Sequence, residues 1–147
     1  MITIGLDPDI EASGMAIIKE GVIVSMLKAP FPELIEQIVN AHKNGEIVVK
    51  LEDVEANKPM FVRNLAGAKQ AMKVAQNVGM CKGVARMIKE SLEYHGVTVQ
   101  MIKPLKGAVK KAKKDASYFN QITGWEKRSN EDCRDAALIG LYGNKKL

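Results

Sequence analysis

Four acidic residues stand where solvation alone explains them poorly. Asp7 closes the apolar run ITIGLD and Glu52 closes IVVKLE. A carboxylate at the end of an apolar strand is costly to bury unless it binds a cation or caps a turn. Asp132 and Asp135 lie three apart in EDCRDAALIGLYG, a spacing that puts both on one face of a helix. Each acid also has an ordinary alternative. Asp7 precedes Pro8, and Asp-Pro pairs start many turns. Glu52 is followed by Asp53 and Glu55, so it could belong to a solvated acidic loop. Acids in the first turn of a helix, Glu131 among them, are favoured by the helix dipole alone. Taken together the set is more specific: all its donors are oxygens, which suits Mg²⁺ or Mn²⁺. Carboxylates gathered without a cation would be forced into protonation or strong repulsion.

The elements that must position these acids are legible from apolar periodicity. Residues 2–7, 13–19 and 22–27 read as strands with connections too short for crossovers, hence an antiparallel meander with a tight turn at Glu20-Gly21. From Pro32 the period becomes helical, with Leu34, Ile35, Ile38 and Val39 on one face and Gly45 beyond the end. Residues 47–52 return to strand, and the intervening helix makes this a crossover onto a parallel neighbour. Asp7 and Glu52 would then end adjacent strands. After a polar loop through Lys58-Pro59, residues 61–94 carry a helical stripe that includes Phe61, Leu65, Ala68, Met72 and Ala75, with Gly79 expected to break or bend it. A fifth strand follows at 97–102, then a segment without clear periodicity, and Asn130 is a suitable N-cap for a last helix.

Composition bounds the remaining possibilities. With 147 residues, 46% of them hydrophobic and 27% charged, the chain is expected to form a single globular domain over 1–147. No stretch has the length of a membrane span, and the opening lacks the basic region and cleavage-like site of a signal peptide, so a cytoplasmic location is expected. Cys81 and Cys133 stand in no ligand spacing and read as reduced thiols. The net charge of +5 favours an anionic partner. Residues 103–114 hold six lysines and no acid. Lys103, Lys106, Lys110, Lys111, Lys113 and Lys114 are therefore candidates for phosphate contacts, against the alternative of a solvated charged face.

The order of elements and the motifs together resemble the RuvC family of Holliday junction resolvases. The opening IGLDPDIEASGMAII is similar to the family's opening, in which an aspartate follows an apolar strand and a Ser/Thr-Gly pair starts the next; Asp7, Ser13 and Gly14 occupy those places. VVKLEDV resembles the strand with the family's catalytic glutamate, which falls on Glu52, and DCRDAALIG resembles its paired aspartates, Asp132 and Asp135. LKGAV is similar to the family's lysine-containing segment near the scissile phosphate, which assigns that role to Lys106.

The resemblance implies an α/β, RNase H-like fold with a central mixed five-stranded sheet flanked by helices. It implies an endonuclease that cuts Holliday junctions as a symmetric homodimer, with Asp7, Glu52, Asp132 and Asp135 holding two Mg²⁺ or Mn²⁺ ions per active site. The helical region 61–94 would form the dimer interface, although a helix packed on its own sheet would use many of the same residues. Glu55 stands where the family has an apolar wedge; Met60 or Phe61 would take that place on DNA, or else simply pack the helix. The small size and divergent motifs look like a phage-encoded relative. Two other readings stay open: another RNase H-like enzyme such as an RNA–DNA hybrid ribonuclease, and a non-catalytic branched-DNA-binding protein. An actin-like ATPase would need a second lobe and phosphate loop, for which the chain has no room.

Overall fold

The computed structural model describes residues 1–56 and 67–144. Strands β1 (Ile2–Asp7), β2 (Ser13–Lys19) and β3 (Val22–Ala29) form the expected antiparallel meander. Its β2–β3 turn places both Glu20 and Gly21 at positive φ, 52° and 77°, the two-residue geometry that matches strand twist. Helix α1 (Phe31–Lys43) crosses over, and β4 (Ile47–Glu52) returns parallel to β1. A 3-10 turn (Val54–Ala56), α2 (Ala68–Tyr94), β5 (Thr98–Ile102), α3 (Ala108–Lys111), α4 (Ala116–Thr123) and α5 (Glu131–Tyr142) complete the described chain. The sheet order is β3-β2-β1-β4-β5, with β5 parallel to β4. This is the mixed five-stranded sheet with flanking helices that the sequence led us to expect.

Two local expectations need correction. Helix α2 runs unbroken through Gly79 and Gly83. A helical glycine costs only about 1 kcal/mol relative to alanine, and the exposed residues 75–80 pack against no element that would impose a bend. The segment after the lysine run, read as aperiodic, forms the short helix α4, too brief to show a period, and the lysine run itself contains the single turn α3. Helix α4 is capped at its start by the Asp115 carboxylate, which accepts from the Tyr118 N–H at 3.0 Å, and it ends at Gly124 with φ 76°. It buries Phe119. The loop residues Lys58 and Pro59, the wedge candidates Met60 and Phe61, and Leu65 of the helical stripe lie outside the described residues.

Side-chain alternation gives the sheet two different faces. Ile4 and Leu6 of β1, with Val49 and Leu51 of β4, pack against Leu34 and Ile38 of α1 and Ile88 and Leu92 of α2. Ala16 and Ile18 of β2 lie on the opposite face with Phe119, Ala136, Ala137 and Leu138. By the same alternation Gly5 and Asp7 point toward α5, and there the packing is unusually close. A methyl group at Gly5 would lie 2.0 Å from the Ala136 carbonyl oxygen, one at Gly14 would lie 2.3 Å from the Asp132 carbonyl oxygen, and one at Gly140 would lie 2.4 Å from Cδ1 of Ile18. Small residues on both partners thus seat α5 directly on the backbone of β1 and β2. Its ends are also tied: Asn130 caps the start by accepting from the Cys133 N–H at 2.9 Å, and Lys50 of β4 donates to the Gly143 carbonyl at 2.6 Å.

Candidate metal centre and nucleic-acid interface

The parallel register aligns Leu6 with Leu51, so the next residues, Asp7 and Glu52, end their strands side by side. Helix α5, held close by the glycines, brings Asp135 over them. Asp7, Glu52 and Asp135 offer carboxylate oxygens that all lie within 4.8 Å of one another. Asp135 is only 9% exposed, and Asp7 and Glu52 are half-buried. Burial, the charges of Asp135 and Glu52, and a hydrogen bond with Glu52 push the Asp7 carboxyl up to about 9. Burial and the charge of Asp135 also raise Glu52, against the lowering effects of the Asp7 hydrogen bond and of Lys113 and Lys110. Such a cluster repels its own second and third negative charge, and a divalent cation relieves that repulsion. The donor set is all oxygen, as hard cations prefer, so the residues present fit Mg²⁺ or Mn²⁺.

Asp132 lies apart from this cluster. Its carboxylate pairs with Lys28 of β3 at 2.9 Å, and that contact holds the Lys28 ammonium above the usual lysine range. Three residues along a helix turn through somewhat less than a full circle. Asp135 therefore leans inward over Asp7, while Asp132 faces the edge of the sheet.

The lysines also separate. Lys113 Nζ lies 3.3 Å from Asp135 Oδ2 and is partly buried. Burial pulls it down, but the charges of Asp135, Asp7 and Glu52 outweigh this and hold its ammonium above the usual range. Lys110, Lys111, Lys113 and Lys114 share one shallow depression with Gly107. Lys103 and Lys106 are exposed and do not line it. The structure thus brings Lys113, rather than Lys106, to the acids. Phe61 lies outside the described residues.

Three polar residues of this face escaped the sequence reading: Lys28, Lys50 and Arg134. Arg134 carried a usable signal, a long cation set between two aspartates on a helix that is otherwise small and apolar. It is 6% exposed.

The sequence matches no protein-family model and none of the curated proteins. Among solved structures, the chain is similar to "T. thermophilus RuvC in complex with Holliday junction substrate", at 20% identity and a TM-score of 0.60, covering 96% of this chain and 91% of that one. The fold is RNase H-like, as in RuvC.

Proposed function

We propose that this chain is a divalent-metal-dependent endonuclease of the RuvC type, a single nuclease domain that cuts branched DNA, four-way junctions above all, by phosphodiester hydrolysis. The observation that carries this reading is the convergence of Asp7, Glu52 and Asp135 within 4.8 Å on an RNase H-like sheet. The similar solved structure is that of a protein bound to a Holliday junction, which supports the choice of substrate.

Asp7, Glu52 and Asp135 would hold the ions, two per site in this reading. Asp132 would join as a further ligand when its pair with Lys28 opens. Divalent ions, when bound, supply Lewis acidity and charge neutralisation for in-line displacement at phosphorus. The chain's own residues do the rest. Lys113 places positive charge beside the acids, where the transition state gains negative charge on oxygen. Lys110, Lys111 and Lys114, with Lys103 and Lys106 farther out, would hold flanking phosphates and give affinity without sequence information.

A four-way junction presents two equivalent strands, so paired cuts call for two sites related by a twofold axis. Helix α2 exposes Met72, Met80 and Met87 on one side, an apolar surface suited to a second copy of this chain. In the host of a phage relative the location would be the bacterial cytoplasm. Among the described residues, no helix is long and apolar enough to cross a membrane.

The test is cleavage of junction, flap, duplex and RNA–DNA hybrid substrates in Mg²⁺ or Mn²⁺, with chelator controls. Metal-dependent cutting with preference for the junction is expected. Preference for the hybrid would replace the resolvase reading with a hybrid ribonuclease, and binding without cutting would leave a DNA-binding protein.

A further inference from the structure

Arg134 is 6% exposed, yet among the described residues no carboxylate pairs with it. A buried guanidinium is costly unless its donors are satisfied. Here the Nε and Nη1 donors are satisfied by neutral oxygens from two other segments. Nε donates to the Lys113 carbonyl at 2.7 Å, and Nη1 donates to the Ser129 carbonyl at 2.7 Å and to Ser129 Oγ at 3.1 Å.

We propose that Arg134 is a positioning residue: its guanidinium clamps the backbone of the basic segment at Lys113 to the loop at Ser129, and thereby sets the Lys113 ammonium against the acidic cluster. The role of Lys113 in cutting rests on the nuclease reading above, whereas the clamp itself does not.

The geometry favours a clamp over a passive filler. A guanidinium is a rigid planar fork, so bonds from Nε and Nη1 fix two directions at once. The neighbouring anchor of this segment is Ala112, fully buried. A methyl group sets the depth of the chain but not the direction in which the next side chain leaves. With its carbonyl held by Arg134, Lys113 reaches Asp135, the residue after Arg134, at 3.3 Å, while Lys110, Lys111 and Lys114 remain exposed. The same residue that immobilises the lysine belongs to the helix that carries the acid, so the two charges are placed relative to one another through a single side chain.

Two measurements on the full chain test this. The first is amide hydrogen exchange in Arg134→Met and Arg134→Lys. The amides of Lys113, Lys114 and Asp115 donate to Lys110 and Lys111 carbonyls and so report on this stretch. Loss of hydrogen bonds from a charged donor is expected to speed their exchange by about tenfold or more, with β1 and β4 unchanged. Arg134→Lys keeps the charge but lacks the fork, and it should show faster exchange at the same amides even if Arg134→Met does not fold. Unchanged protection over 113–115 would overturn the clamp.

The second is a cleavage cycle with Lys113→Met. Arg134→Met is expected to lower kcat by about tenfold through misplacement of Lys113, with KM little changed, and to add nothing in the Lys113→Met background. Additive losses would show that Arg134 does not act through Lys113. If the wild-type chain cuts no DNA with either metal, the nuclease reading fails and takes the role of Lys113 with it, while exchange still decides the clamp.

Discussion

The two faces of the one sheet are built by opposite rules. Against α1 and α2 the sheet presents Ile4, Leu6, Val49 and Leu51, and bulky side chains fill the space between layers. Against α5 it presents Gly5 and Gly14, and the helix replies with Ala136 and Gly140, so that backbone nearly meets backbone. The first face supplies apolar burial. The second gives up some of that burial for proximity, and proximity is what brings a helix carboxylate onto two strand-end carboxylates. Stability and placement are therefore assigned to different sides of the same five strands, and substitutions on each side should separate them.

The largest effect is expected at the acids themselves. Asp7→Asn should lower metal-dependent cleavage by about 10³-fold, the scale of losing one transition-state stabilising group, while gel-shift affinity for a junction changes only a few-fold. Unimpaired cutting by this variant would remove Asp7 from the site. On the aliphatic face, Leu34→Ala should cost about 2–5 kcal/mol of stability, as for other fully buried leucines, yet leave the cleavage rate per folded molecule as it was. Denaturant melts paired with active-site titration would read both quantities. A rate loss beyond the unfolded fraction would break the division between faces.

Gly5→Ala tests the other side. Its added methyl meets the Ala136 carbonyl, and overpacking of this kind costs about 1–3 kcal/mol. Because α5 must move to relieve it, cleavage should fall by up to about 10²-fold even in the folded fraction. A variant that is less stable but cuts at the full rate would show that close approach of α5 is not what places Asp135.

The smallest effect is a pH dependence of stability in metal-free protein. Folded Asp7 keeps its proton up to about pH 9, whereas its ordinary value is 3.8. Between these values the folded state binds more protons than the unfolded state, so this group makes stability fall as pH rises. Asp7→Asn removes the effect, and at the alkaline end of that window its metal-free Tm should exceed that of wild type by about 3 °C, the shift given by roughly 1 kcal/mol in a domain of this size. Mg²⁺ or Mn²⁺ should raise the wild-type Tm most in the same range. A wild-type Tm equal to that of Asp7→Asn across the window would contradict the raised Asp7 carboxyl, and with it the burial and mutual repulsion that raise it.

Much of this was legible in the chain because it is written in local periodicity. The strand ends at Asp7 and Glu52 follow from apolar runs, and their adjacency follows from the crossover through α1. The choice between Asp132 and Asp135 was not legible, since both sit in the opening turns of α5, and only the contact of that helix with Gly5 and Gly14 sends one inward and the other to Lys28. The choice among six lysines was hidden for the same reason: Lys113 is set apart from Lys106 by what holds its segment, the buried Ala112 and a contact from Arg134 twenty-one residues away in sequence. Gly5 did offer a signal, because a glycine inside an apolar strand often marks a close backbone approach.

The central claim is that Asp7, Glu52 and Asp135 form one divalent-metal site. Anomalous scattering from crystals soaked in Mn²⁺ tests it most directly. Peaks about 2.0–2.2 Å from oxygens of all three carboxylates are expected; manganese bound elsewhere on the protein, with none at these residues, would contradict it.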